Sequence, residues 1–144
     1  MDITQMGVGA AYALAAAGSG WGFFVVGQAV VGAWKKCYAQ NKPAPYILMV
    51  FFGMPFSQNI YGMILMNSLK DSVGTANPGL ILGAGLFGGI GMGISALSQG
   101  IVSASAADAY TATGKGFVNY IILLGVIESV ALFQMVFLMG LVAA

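Results

Sequence analysis

The spacing of its charges constrains this chain more than any other feature. Asp2, Lys35, Lys36, Lys42, Lys70, Asp71, Asp108, Lys115 and Glu128 are its only charged residues, and uncharged runs long enough to cross a bilayer separate them. A helical crossing takes roughly 20 residues. Hydrophobic residues make up 59% of the 144 and charged ones 6%, with a mean hydropathy of +0.90, which places the chain outside the range of soluble domains. Backbone amides in hydrocarbon must be satisfied within their own segment, and helices do that. The pattern therefore predicts an all-α membrane protein with four transmembrane helices, at about 5–34, 45–69, 79–106 and 117–142. Residues 1–144 form a single membrane domain in this reading.

A net charge of +1, with no basic run beyond Lys35-Lys36, gives nucleic acid nothing to bind. Cys37 stands alone, so no disulfide forms within the chain, and its position is that of a helix-end thiol. The N-terminus opens with Asp2 and has no basic region before its apolar stretch, as expected of a retained first helix rather than a cleaved signal. Short cytoplasmic loops are enriched in Lys and Arg. Lys35, Lys36 and Lys42 thus mark the first loop as cytoplasmic, which puts Asp108 and Lys115 in a second loop on the same side and both termini outside. Short loops suggest a multi-pass protein of a prokaryotic plasma membrane.

Turn signals agree with the partition. Asn41, Pro43 and Pro45 precede the second helix, and Asn77-Pro78-Gly79 offers a cap and a first-turn proline to the third. Short loops make neighbours pack as antiparallel hairpins, about 5–69 and 79–142. A shift of 71 residues superposes Gly18, Gly20, Gly22 and Gln28 on Gly89, Gly91, Gly93 and Gln99, so the hairpins read as two copies of one unit. A shift of 72 pairs Gly53 with Gly125 and sets Phe56 where the second copy has Glu128.

The first helix holds seven glycines and the third eight, against two each in the second and fourth. Small residues let helix backbones approach closely in membranes. Helices one and three are expected to form a crowded layer, with helices two and four, rich in Phe, Met, Leu and Ile, facing outward. Such crowding fits a closed ring of identical subunits. Gly83-Ala84-Gly85-Leu86-Phe87-Gly88 matches the dinucleotide pattern G-x-G-x-x-G, but it follows no strand of a βαβ unit and reads as helix packing.

Glu128 lies about 12 residues into the last helix, near the bilayer midplane. An ionised carboxylate there costs at least a few kcal/mol, so it must be protonated, paired or bound to a cation. No Lys lies within any helix core, which leaves a proton or a metal ion to neutralise it. A proton needs only the carboxyl, whereas Na+ needs several oxygens. In the second helix, Met54, Ser57, Gln58 and Tyr61 share one stripe. Pro55 has no amide proton and disturbs the ladder, leaving carbonyls of the preceding turn freer. Ser57, Gln58 and a backbone carbonyl are candidate ligands, Gln99 adds another from the third helix, and Tyr61 is placed to donate to the carboxylate. Each of these polar residues alone fits an interhelical hydrogen bond; together with an unpaired Glu at similar depth they suggest an ion site. Gln28, Asn59, Asn67, Asn119 and Gln134 receive no role.

These residues resemble the duplicated proteolipid, of the K or c type, of rotary V-type and A-type ATPases, over nearly the whole chain. The resemblance consists of two hairpins with glycine-rich first and third helices, a P-x-[ST]-Q-x-x-Y-G run at Pro55, Ser57, Gln58, Tyr61 and Gly62, and the lone Glu128. Sodium-translocating members carry Gln followed by Gly in the third helix, which Gln99-Gly100 resembles. The resemblance implies Na+ held by Glu128, by Ser57, Gln58 and Gln99 side chains and by the Met54 main-chain carbonyl, with Tyr61 fixing Glu128. It also implies a ring turning against a membrane stator whose Arg meets each Glu, a central-stalk partner at the cytoplasmic loops, and ATP hydrolysis in other subunits. The chain has no phosphate-binding loop in a suitable context, so it reads as non-catalytic and without an organic cofactor. Ser57 stands where Thr is usual, Phe56 where a smaller residue is common, and Ser129 follows the Glu. The alternatives are a proton-carrying proteolipid of the same architecture, a small four-helix cation or drug exchanger, which keeps its Glu in the first helix, and a structural hairpin protein without an ion site.

Overall fold

The computed structural model describes residues 2–144, all of whose regular structure is helical. Helix α1 spans Ile3–Ala39, α2 Leu48–Gly53, α3 Ser57–Asp71, α4 Pro78–Thr113 and α5 Phe117–Ala143. A 3-10 turn at Met54–Phe56 joins α2 to α3, making one continuous span. The four spans are each long and apolar enough to cross a membrane.

Local chemistry sets the helix ends. The Asp2 carboxylate accepts the Thr4 amide at 2.9 Å and caps α1. Asn77 does the same for α4, accepting from the Gly79 amide at 2.8 Å, with Pro78 in the first turn as the sequence predicted. At the other end of α4, Gly114 takes the left-handed conformation (φ 67°) and its amide closes on the Tyr110 carbonyl.

Two helices run longer than expected. α1 continues through Lys35 and Lys36 to Ala39, because nothing breaks it before Asn41 (φ 52°) and Pro43, and Lys36 suits the negative C-terminal end. α4 continues to Thr113, carried by an Ala-rich segment whose first breaker is Gly114. Asp108 therefore sits on a helix rather than in a loop, and Lys35 and Lys36 lie in the last turns of α1.

The glycines of α1 and α4 meet backbone to backbone, as their uneven distribution suggested. A Cβ added at Gly18 would overlap the Gly93 backbone, and one at Gly85 would overlap the Gly7 carbonyl. A Cβ at Gly22 would come within 2.7 Å of the Ala96 carbonyl oxygen. The two helices run in parallel; α3 packs against both of them, and α5 packs against α4 and α3. α5 exposes Val126, Val130, Phe133 and Phe137.

Two apolar clusters lie along the bundle. One gathers Ala11, Ala15, Leu65, Leu69, Met92, Ala131 and Met135. The other gathers Val26, Val30, Leu48, Phe51, Ala106, Ala107 and Leu124. The buried polar residues Ser19, Gln58, Ser95 and Gln99 fall between these groups on their respective spans.

Substituting Gly18 with Val should destabilise the chain by about 3 kcal/mol or more, since no side chain can yield where backbone meets backbone. Gly20→Ala, where nothing lies within 4 Å, should change stability by less than about 1 kcal/mol. Thermal unfolding of both variants in detergent micelles checks this, and equal losses would remove the close-contact argument.

Candidate functional site

Of the polar residues between the two apolar clusters, Gln58, Tyr61, Ser95, Gln99 and Glu128 form one hydrogen-bonded network across α3, α4 and α5. Tyr61 donates its hydroxyl proton to Glu128 Oε1 at 2.8 Å. Gln99 Nε2 donates to the Leu124 carbonyl at 3.0 Å and to Glu128 Oε2 at 3.5 Å. Gln58 Nε2 donates to Gln99 Oε1 at 2.8 Å and to Ser95 Oγ at 3.4 Å, and Ser95 donates to the Ile127 carbonyl at 3.0 Å.

Helical spacing explains why these side chains converge. Gln58 and Tyr61 are three residues apart on α3, Ser95 and Gln99 four apart on α4, so each pair projects from one face. Leu124, Ile127 and Glu128 occupy the facing turn of α5. Gln58 and Gln99 are fully buried, whereas Glu128 and Tyr61 are half-buried, at the margin of the network that borders the outer face.

Of the residues singled out in the sequence, Glu128, Gln58, Gln99 and Tyr61 join this network. Ser57 lies one turn before Tyr61 and approaches its hydroxyl, but it makes no hydrogen bond of good geometry. Met54 sits in the 3-10 turn with its side chain against the Phe51 and Leu124 cluster. Pro55 frees less than its chemistry suggested. The chain tightens there, and the Met54 amide takes up the Phe51 carbonyl, which a fifth-position amide would otherwise have bonded. Phe56, in register with Glu128 in the first hairpin, is 51% exposed, and Gln28, in register with Gln99, is exposed, so the first copy assembles no counterpart of the network.

Sequence reasoning missed Ser95, whose signal was its position one turn before Gln99 on the same face. It also left Gln134 without a role. Gln134 donates to the Phe87 carbonyl at 3.0 Å, and its amide fills the space that Gly91 leaves beside α5.

The network has spare acceptor capacity and no cationic side chain. An amide oxygen carries two lone pairs, of which Gln99 Oε1 uses one. Gln58 Oε1 is buried with no partner at all. A carboxylate, two amide oxygens and a hydroxyl at membrane depth are the oxygen donors suited to a hard cation, and a proton on the carboxyl satisfies the charge equally well.

Residues 82–141, which hold most of α4 and α5, match the family model of the C subunit of ATP synthase. The match covers the second hairpin, including Ser95, Gln99 and Glu128, and less than half of the chain. No curated protein matches the sequence.

Removing single members of the network should register as lost stability. Ser95→Ala deletes the bond to Ile127 and one acceptor of Gln58 and should cost about 1–2 kcal/mol, and Tyr61→Phe about 1 kcal/mol. Equilibrium unfolding in micelles tests both. If Ser95→Ala is neutral, Ser95 belongs outside the network.

Proposed function

We propose that this chain is the rotor-ring proteolipid of a V-type rotary ATPase, and that it carries Na+ across the membrane on Glu128. The observation that supports this most directly is a membrane-depth carboxylate with no Lys or Arg beside it, set among buried oxygens with unused lone pairs. The match of the second hairpin to the C subunit of ATP synthase supports the rotor assignment.

In this reading Glu128 is the central ligand. Gln58, Gln99 and Ser57 supply side-chain oxygens, the Met54 carbonyl a further one, and Tyr61 holds the carboxylate in place. Identical protomers assemble into a ring, with α1 and α4 as the inner layer and α5 on the outer side. Apolar clusters close the bundle above and below the network, so the ion enters and leaves laterally at the half-buried Glu128. A loaded site is neutral and can face lipid. An empty, charged one can face only water or a cation, which forbids it from leaving the stator unloaded. A stator Arg would serve as the transient partner, a soluble stalk would engage the first and third loops, and ATP hydrolysis in other subunits would drive rotation. The chain itself is non-catalytic.

A proton in place of Na+ is the second reading, and one observation favours it. Tyr61 donates to one oxygen of Glu128, Gln99 to the other and Gln58 to Gln99, so side-chain donors alone hold the carboxyl in place.

Carbodiimides attack the protonated carboxyl, so labelling of Glu128 should fall as pH rises. Added Na+ should suppress it in the millimolar range while K+ does not. Na+ and H+ compete for one group, so less Na+ should be needed at higher pH. Glu128→Gln should abolish labelling. Labelling that follows pH alone and ignores Na+ would establish the proton-coupled reading instead.

A further inference from the structure

The rings of the second apolar cluster converge on one residue. Phe51, in the last turn of α2, is fully buried and meets three of them: Tyr110 of α4 at 6.3 Å between centroids, and Phe117 and Tyr120 of α5 at 5.6 and 6.3 Å. Tyr110 and Phe117 also pack edge to face, at 6.2 Å. Such ring contacts are attractive, and here they hold the second span against the end of α4 and the start of α5. The cluster reaches the α4–α5 connection as well. A Cβ at Gly116 (φ 86°) would stand 2.8 Å from Cζ and from the hydroxyl oxygen of Tyr120.

The same cluster places backbone groups of the Glu128 network. Both main-chain acceptors of that network, the Leu124 and Ile127 carbonyls, belong to residues whose side chains pack in the Phe51 cluster. Met54, whose carbonyl is a ligand in the sodium reading, packs there too, and its amide takes the Phe51 carbonyl where the 3-10 turn begins. Phe51, Pro55 and Gln58 are all buried, at the spacing of one helix face. A displacement of Phe51 therefore shifts the turn of α5 that offers Leu124 and Ile127, and the segment of the second span that offers Met54 and Gln58.

A cation and a proton ask different things of this arrangement. Na+ needs several oxygens held at set distances at once, whereas a proton needs one carboxyl oxygen. A residue behind the ligands that fixes their geometry thus acts on cation affinity and leaves protonation nearly as it was.

We propose that Phe51 is a positioning residue of the cation site, and that the rings around it tie the turn at residues 114–116 to the level of Glu128. The inference rests on the sodium reading above and extends it to a side chain outside the hydrogen-bonded network. It also gives the α4–α5 turn an influence on ion affinity.

The test is carbodiimide labelling of Glu128 in membranes carrying the full chain, as wild type, Phe51→Leu, Gly116→Ala and Leu69→Ala. Phe51→Leu should need about tenfold more Na+ for half-protection, with the pH profile of labelling in the absence of Na+ unchanged. Gly116→Ala, which drives a methyl group against Tyr120, should shift the Na+ requirement in the same direction by a smaller factor, and it carries the comparison if Phe51→Leu fails to insert. Leu69→Ala trims the first apolar cluster and should lower thermal stability while leaving the Na+ requirement as in the wild type. If Phe51→Leu is protected at the wild-type Na+ concentration, or if Leu69→Ala shifts the requirement as far, the positioning role is refuted and the sodium site stands. If the wild type is not protected by Na+, the sodium reading falls and the inference falls with it.

Discussion

Backbone contact between α1 and α4 is the constraint from which the other positions follow. With no side chains between them at Gly18, Gly85 and Gly93, these helices sit at a fixed separation and register. Helix association in lipid has little hydrophobic drive between spans and depends on packing and on interhelical hydrogen bonds. The glycine contacts supply the first over the inner layer. The Gln58, Ser95, Gln99, Tyr61 and Glu128 network supplies the second, tying α3 and α5 to that layer at one level.

Placing the Glu128 network at one level also determines how the membrane sees it. Leu65, Met92 and Met135 close one side and Phe51, Val26 and Leu124 the other. A carboxylate enclosed in this way stays half-buried at the edge of the network. The same enclosure keeps the dielectric low, so removing a neutralising ion or proton carries a larger penalty there than in water.

Much of this was legible from residue types and spacing. The unequal glycine counts indicated which helices touch, and the stripe containing Gln58 and Tyr61 indicated which side chains of the second span gather near Glu128. The exceptions have physical causes. Lys35, Lys36 and Asp108 look like loop residues by charge, but a helix that extends past the hydrocarbon carries charge readily, and only Asn41 and Gly114 stop it. The disturbance expected from Pro55 was absorbed by a 3-10 turn, a local adjustment that composition does not reveal. Ser95 was overlooked because a serine in a small-residue helix resembles packing until its acceptor, the Ile127 carbonyl, is seen on another span.

The unequal lengths of the spans have a mechanical consequence. α1 has 37 residues and α4 has 36, whereas α5 has 27. At 1.5 Å per residue the two inner helices exceed α5 by roughly 15 Å. Their C-terminal ends lie together, because they run in parallel and in register, and that end carries Lys35, Lys36 and Asp108. That end is thus a pair of helices continuous with the glycine-packed layer. Helices in backbone contact have no cushion of side chains to shear, so a torque applied to this end is transmitted into the membrane layer with little twist lost on the way.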